Sequence, residues 1–244
     1  MQSVSPSANR GEKRRAMETK APNMYKSSLQ RGSRRVFLLA LLLYAILGLF
    51  FLYFYRYQLD PDGVSYISIA EKYASGDFQR AVNGYWGPLL SWLLAPFLLL
   101  GIPPLISTKL LSLCIGALAI VCFRSLSYTF QMSENIRRVL VFSVVLIVLQ
   151  FAMWIFTPDL LLTSVLLCYF IVIFRTDYAE RTHKGALCGA IGAIAYLAKS
   201  YAFAFFLLHF FILNGLHYLR SPTKENKRKV LRNYILGLAV FCVL

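Results

Sequence analysis

Asp60 and Asp62 stand two residues apart in the stretch QLDPDGVSYISIAEKYASGDF, between two long apolar runs. A third acid, Asp159, sits alone in FTPDLLLTS, and Lys199 lies in AIAYLAKSYAFAFF with apolar residues on both sides. Acid is scarce here, with 11 Asp+Glu against 26 Lys+Arg, so each carboxylate in an apolar setting asks for a reason. A carboxylate of this kind can take a proton from a hydroxyl as a general base. A lysine in a poorly hydrated setting can hold an anionic group such as a lipid phosphate. Each residue also has a structural role open to it. Aspartate is a favoured helix N-cap, worth about 1 kcal/mol, and Asp62 can cap a helix and do chemistry at once. Asp159, next to Pro158, can cap a helix in a tight turn. Lys199 can snorkel from a helix end.

The elements that hold these residues are apolar and long. The chain is 58% hydrophobic and 15% aromatic, above what a soluble globular domain carries. Residues 36–55 run without a charge for about 20 positions, enough to cross a hydrocarbon core of about 30 Å. Further runs at 105–123, 139–156 and 160–174 have similar character, and 185–219 is too long for one pass and breaks near Lys199-Ser200. Residues 88–100 are too short to cross and end at Gly101-Ile102-Pro103-Pro104, so they predict a short or re-entrant piece. In the loop between the first two runs, Tyr66, Ile69, Ala70 and Tyr73 fall on one helical face. Residues 64–75 therefore predict a short amphipathic helix lying along the membrane surface. The fold class is all-α: a polytopic transmembrane helical bundle with an extracytoplasmic amphipathic helix in the first loop.

A net charge of +15 raises nucleic acid as a partner, but the basic residues cluster in loops that flank apolar spans. That is the pattern of cytoplasmic loops in membrane proteins, so no nucleic-acid partner is expected. With the tail 1–35 and the segments 124–138, 175–184 and 220–233 in the cytoplasm, Asp62, Asp159 and Lys199 all emerge on the opposite face. A carboxylate at the membrane centre costs at least about 2.5 kcal/mol, which also puts Asp159 at an interface or in a cavity. The tail 1–35 reads as a disordered cytoplasmic arm, followed by a signal anchor in the inner cell membrane. The last apolar run, 234–244, stops short of a span. Residues 36–244 thus look like the N-terminal part of a larger transmembrane domain. The five cysteines lie in apolar runs without a Cys-x-x-Cys spacing, and neither they nor the three histidines form a metal-ligand pattern. Trp86 and Trp92 read as interface-belt residues.

The ordered blocks PDGVSYISIAEKYASGDF, YWGPLLSWLLAPFLLLGI, FTPDLLLTSVLLCYFIVIFR and GALCGAIGAIAYLAKSYAF resemble successive segments of C-type (GT-C fold) membrane glycosyltransferases. The nearest branch is that of protein O-mannosyltransferases and lipid A aminoarabinose transferases, and the likeness runs from about Val36 to Phe211. The resemblance implies inverting transfer of a sugar from a polyprenyl-phosphate donor to a glycan, lipid or protein acceptor outside the cytoplasm. It singles out Asp62 over Asp60 as the general base, with Tyr66 as the aromatic four residues on. Asp159 matches the acid of the second conserved loop, and Lys199 matches a lysine suggested to meet the donor phosphate. Asp60, Tyr66, Lys199 and Tyr201 are thus candidate substrate-binding residues, and Asp62 and Asp159 candidate catalytic ones. Members of the family often have Asp-Glu where this chain has Asp62-Gly63. Some relatives place a divalent metal between such carboxylates, but two acids are a thin ligand set and no cofactor is assigned. The competing class is a transporter or a non-catalytic protein that binds lipid-linked sugar, because intramembrane charges and broken helices also mark transport paths.

Overall fold

The computed structural model describes residues 33–244, and the basic arm expected over 1–35 lies almost wholly outside them. The described residues form helices joined by short turns. They are α1 (Ser33–Tyr55), α2 (Pro61–Ala74), α3 (Phe78–Ala81), α4 (Leu89–Leu99), α5 (Pro104–Thr129) and α6 (Glu134–Trp154), then α7 (Pro158–Ile173), α8 (Thr182–Ala198), α9 (Ala202–Arg220) and α10 (Lys224–Val243). Four of them, α1, α5, α6 and α9, are long and apolar enough to cross a membrane. α7 is apolar but shorter, at 16 residues. An all-helical set of described residues with four such helices is consistent with a helical membrane protein.

Several polar segments expected as loops are helical. α5 runs on to Thr129 and α6 starts at Glu134, so the predicted loop 124–138 shrinks to a four-residue turn. Ser133 sets the restart, its hydroxyl accepting from the Ile136 amide. Likewise α10 begins at Lys224, capped by Thr223, and takes most of the expected loop 220–233 into the helix. Helix propensity carries these polar ends past the apolar spans because Lys, Arg and Glu are good helix formers.

Side-chain contacts fix the helix directions. Ser33 lies against Tyr128, so the start of α1 meets the end of α5. At the opposite end of the bundle Lys109, near the start of α5, donates to the Met153 carbonyl near the end of α6. The bond from the Phe156 amide to Asp60 brings the α6–α7 turn to the segment following α1. α4 begins beside the end of α8, where Gly87 approaches the Ala198 carbonyl, and it hands over to the start of α5. Both ends of α4 therefore lie at one end of the bundle, so this 11-residue helix does not traverse it.

α2 packs on α4, and the Ser91 hydroxyl donates to the Tyr66 carbonyl at 2.9 Å. The face carrying Tyr66, Ile69 and Ala70 is buried by protein. That corrects the expectation of a helix resting its apolar side on the membrane, because α4 supplies the apolar partner instead. α8 and α10 approach most closely through glycines. A Cβ on Gly189 would strike the Gly237 carbonyl, and one on Gly185 the Asn233 backbone. Arg124, Arg137, Arg175 and Lys184 lie toward one end, and Asp62, Asp159 and Lys199 toward the other.

Candidate functional site

The α8–α9 break contains neither proline nor glycine. α8 stops at Ala198, Lys199 turns extended (φ −158°, ψ 129°), and the helix resumes when Ala202 N–H donates to the Lys199 carbonyl at 3.0 Å. The break coincides with the single charge in the run, and it points that charge across the bundle end. Lys199 Nζ lies 2.6 Å from Asp159 Oδ1. It also stands 5.3 Å from the centre of the Tyr201 ring, a cation–π distance.

Asp159 occupies the first turn of α7, next to Pro158. Its second oxygen, Oδ2, accepts from the Thr157 hydroxyl at 2.9 Å. The carboxylate is thus fixed from both sides, by a cation from the α8–α9 break and a hydroxyl from its own turn. The pair is only partly covered, with side chains 34% (Lys199) and 45% (Asp159) exposed, so it remains open to a ligand.

The two acids of the opening stretch divide their work. The N-cap of α2 is Asp60, not Asp62. Pro61 occupies the first helical position, which shifts the cap one residue upstream of it. Asp60 Oδ2 accepts from the Gly63 amide at 3.1 Å, and Oδ1 accepts from the Phe156 amide at 2.7 Å. Both oxygens are engaged with backbone, so Asp60 positions the α6–α7 turn against α2. Asp62 sits in the first turn of α2 and is exposed. At position 63 a Cβ would meet the Leu59 side chain at 2.6 Å and Asp60 Oδ1 at 3.1 Å. A side chain there would require Leu59 to move aside.

Tyr66, one turn on from Asp62, is 2% exposed and packs edge-on against Trp86, with ring centres 5.1 Å apart. Burial pushes its phenol up to about 12, helped by the negative charges of Asp62 and Asp159 and by Tyr85. Tyr66 therefore stays neutral between two carboxylates and can donate a hydrogen bond there. Trp86 is followed by Gly87, whose absent Cβ would lie 2.5 Å from the Ala198 carbonyl and 2.6 Å from that of Leu197. Only glycine lets the loop rest on the end of α8 beside Lys199. Asp62, Tyr66, Asp159, Lys199 and Tyr201 thus share one end of the bundle.

Lys109 is a buried cation that the apolar pattern of its helix masks. It is 1% exposed within α5, its ammonium donates to the Met153 carbonyl at 2.5 Å, and the Asp60 carboxylate lies within electrostatic reach. It ties α5 to the carbonyl-rich end of α6, directly under the turn that carries Asp159. Its signal was a lone cation early in an otherwise uncharged apolar run. Among the described residues no three His, Cys, Asp or Glu side chains gather to hold a metal ion.

Comparison with protein-family models, with curated proteins and with solved structures finds no match to this chain.

Proposed function

We propose that this chain carries the catalytic face of a membrane glycosyltransferase that moves a sugar from a polyprenyl-phosphate donor to an acceptor outside the cytoplasm. The observation that carries the reading is the Asp159–Lys199 ion pair at the same bundle end as Asp62 and Tyr66. The concentration of Arg and Lys toward the opposite end, where Arg124, Arg137, Arg175 and Lys184 lie, supports an orientation with the N-terminus in the cytoplasm and this end outside. In that arrangement α1 and α5 to α9 cross the membrane, α10 enters it with its apolar second half, and α2 to α4 form the outer rim.

Asp62 takes the proton of the acceptor hydroxyl. The acceptor oxygen attacks the anomeric carbon from the face opposite the phosphate, and the carbon–oxygen bond to phosphate breaks with inversion. The electron pair leaves on the polyprenyl phosphate. Lys199 stabilises that charge. Asp159 and Tyr201 hold the ammonium in place, and Tyr66, neutral at working pH, donates to substrate or to Asp62.

The test is transfer by membranes carrying the full-length protein, supplied with a panel of short-chain polyprenyl-phosphate hexose and pentose donors. Asp62→Asn is expected to abolish transfer while leaving expression and folding intact. Unchanged turnover in that variant removes Asp62 from the base role. Donor-lipid movement across the membrane without transfer would favour the transport reading.

A further inference from the structure

The loop after α3 builds a recess against α2 and the start of α4. Ile69 and Tyr73 of α2, Asn83 and Trp86 of the loop, and Pro88 and Trp92 at the start of α4 line it, enclosing about 120 Å³. Its aromatic walls are held in register. Tyr73 and Trp92 meet edge to face with ring centres 6.1 Å apart, and Trp86 is wedged against Tyr66. Asn83 fixes the loop, its side-chain carbonyl accepting from the Tyr85 amide at 3.1 Å and the Trp86 amide at 2.7 Å. That leaves the Asn83 NH₂ with only a 3.4 Å approach to the Ala81 carbonyl, so it retains donor capacity at the recess. Trp92 is 44% exposed, and no charged side chain lines the cavity.

Two indoles, a phenol and a primary amide around an uncharged hollow are complementary to one ligand chemistry. The C–H face of a pyranose ring packs on an aromatic face, and its hydroxyls pair with the amide. A charged headgroup finds no counter-ion there. An interface-belt tryptophan does not require an amide-fixed loop and a second indole facing the same hollow.

We propose that this recess is a subsite for a neutral sugar ring of a glycan acceptor, which rests on the transferase reading for its role. α2 then carries both functions, Asp62 at its start and the sugar platform toward its end. Ile69 and Tyr73 are seven and eleven residues beyond Asp62, about 10 to 16 Å along the helix axis. An acceptor seated in the recess therefore extends beyond a single sugar to present its hydroxyl to Asp62. Among glycan, lipid and protein acceptors, the recess selects the glycan.

The test is intrinsic tryptophan fluorescence of the full chain in neutral-lipid nanodiscs, titrated with neutral manno-, gluco- and galacto-oligosaccharides. At least one should give a saturable change. Its affinity should fall about tenfold in Trp92→Leu, the loss of one aromatic contact, and fall likewise in Asn83→Ala. Trp92→Phe, which keeps a ring, should retain binding, and so should Asp62→Asn. The absence of a saturable change with every oligosaccharide, or equal affinity in Trp92→Leu, overturns the subsite. The two readings fail separately. Saturable binding with transfer unaffected by Asp62→Asn keeps the subsite and sinks the base. Loss of transfer in Asp62→Asn without any sugar binding does the reverse.

Discussion

Lys199 and Asp159, 40 residues apart in sequence, meet at 2.6 Å across the gap between two helical turns. Each turn ends a helix and starts another, so the contact holds α7 and the α8–α9 junction in one register. The pair is partly exposed, and its worth to stability is correspondingly small, about 1 kcal/mol or less. Its larger value is as a preset charge. Lys199→Met should lower sugar transfer about 10²- to 10³-fold while shifting the thermal unfolding midpoint in detergent little. The double variant with Asp159→Asn should lose scarcely more than Lys199→Met alone, as expected of two residues acting as a unit. Additive losses would show that they act apart.

Asp60 and Asp62 should separate cleanly in a stability assay. Asp60→Ala removes the α2 cap and strands the Phe156 amide, at a cost of about 1 to 3 kcal/mol. Asp62→Ala, at an exposed first-turn position, should change stability by roughly 0.5 kcal/mol or less. Denaturant titration of both variants in the same detergent checks the contrast. Equal destabilisation would mean that the cap is shared.

The glycines of α8 and α9 have opposite sensitivities. Gly189→Ala drives a methyl into the Gly237 carbonyl of α10 and should destabilise by about 1 to 3 kcal/mol. Gly215→Ala meets nothing within 4 Å in a helix interior and should stabilise by up to about 1 kcal/mol. Thermal midpoints of the two variants, compared with the parent, give the sign directly.

At the opposite end of the bundle Asp177 binds Lys184 and lies 3.3 Å from Arg175 Nε and 3.2 Å from Arg181 Nε. The hydrogen bond from Lys184 and the charges of Lys184 and Arg175 hold its carboxyl below the ordinary range. A depressed carboxyl contributes stability above its unfolded value, about 3.9, and loses it as the pH falls through the folded value. The unfolding midpoint should therefore drop below about pH 4, and Asp177→Asn should flatten that limb of the profile. A variant profile that parallels the parent's would assign the acid sensitivity elsewhere.

Much of this end of the molecule was legible in the sequence because charge inside apolar runs is costly and has few permitted places. The break at Lys199-Ser200 followed from a run too long for one pass, and the shortness of residues 88–100 followed from the Gly-Ile-Pro-Pro breaker. What was not legible depends on partners far along the chain. Whether Asp60 or Asp62 caps α2 turns on Pro61 and on an amide 96 residues away. The cover over the apolar face of α2 comes from α4, which periodicity cannot distinguish from lipid. Lys109 is hidden in the sequence because one lysine barely lowers the hydropathy of a long run, yet burial leaves it a single carbonyl partner at the end of α6. Trp86 reads as a belt residue in the sequence because its contact with Tyr66 depends on Gly87 reaching the α8 end.

α6–α7 and α8–α9 are two separate helical hairpins, and Asp159 and Lys199 ride at their tips. In the proposed orientation each tip crosses the bilayer during synthesis carrying an unmatched charge, and the two neutralise one another only after both hairpins have crossed. The earlier hairpin must wait for the later one. The ion pair therefore reports that both hairpins are in place.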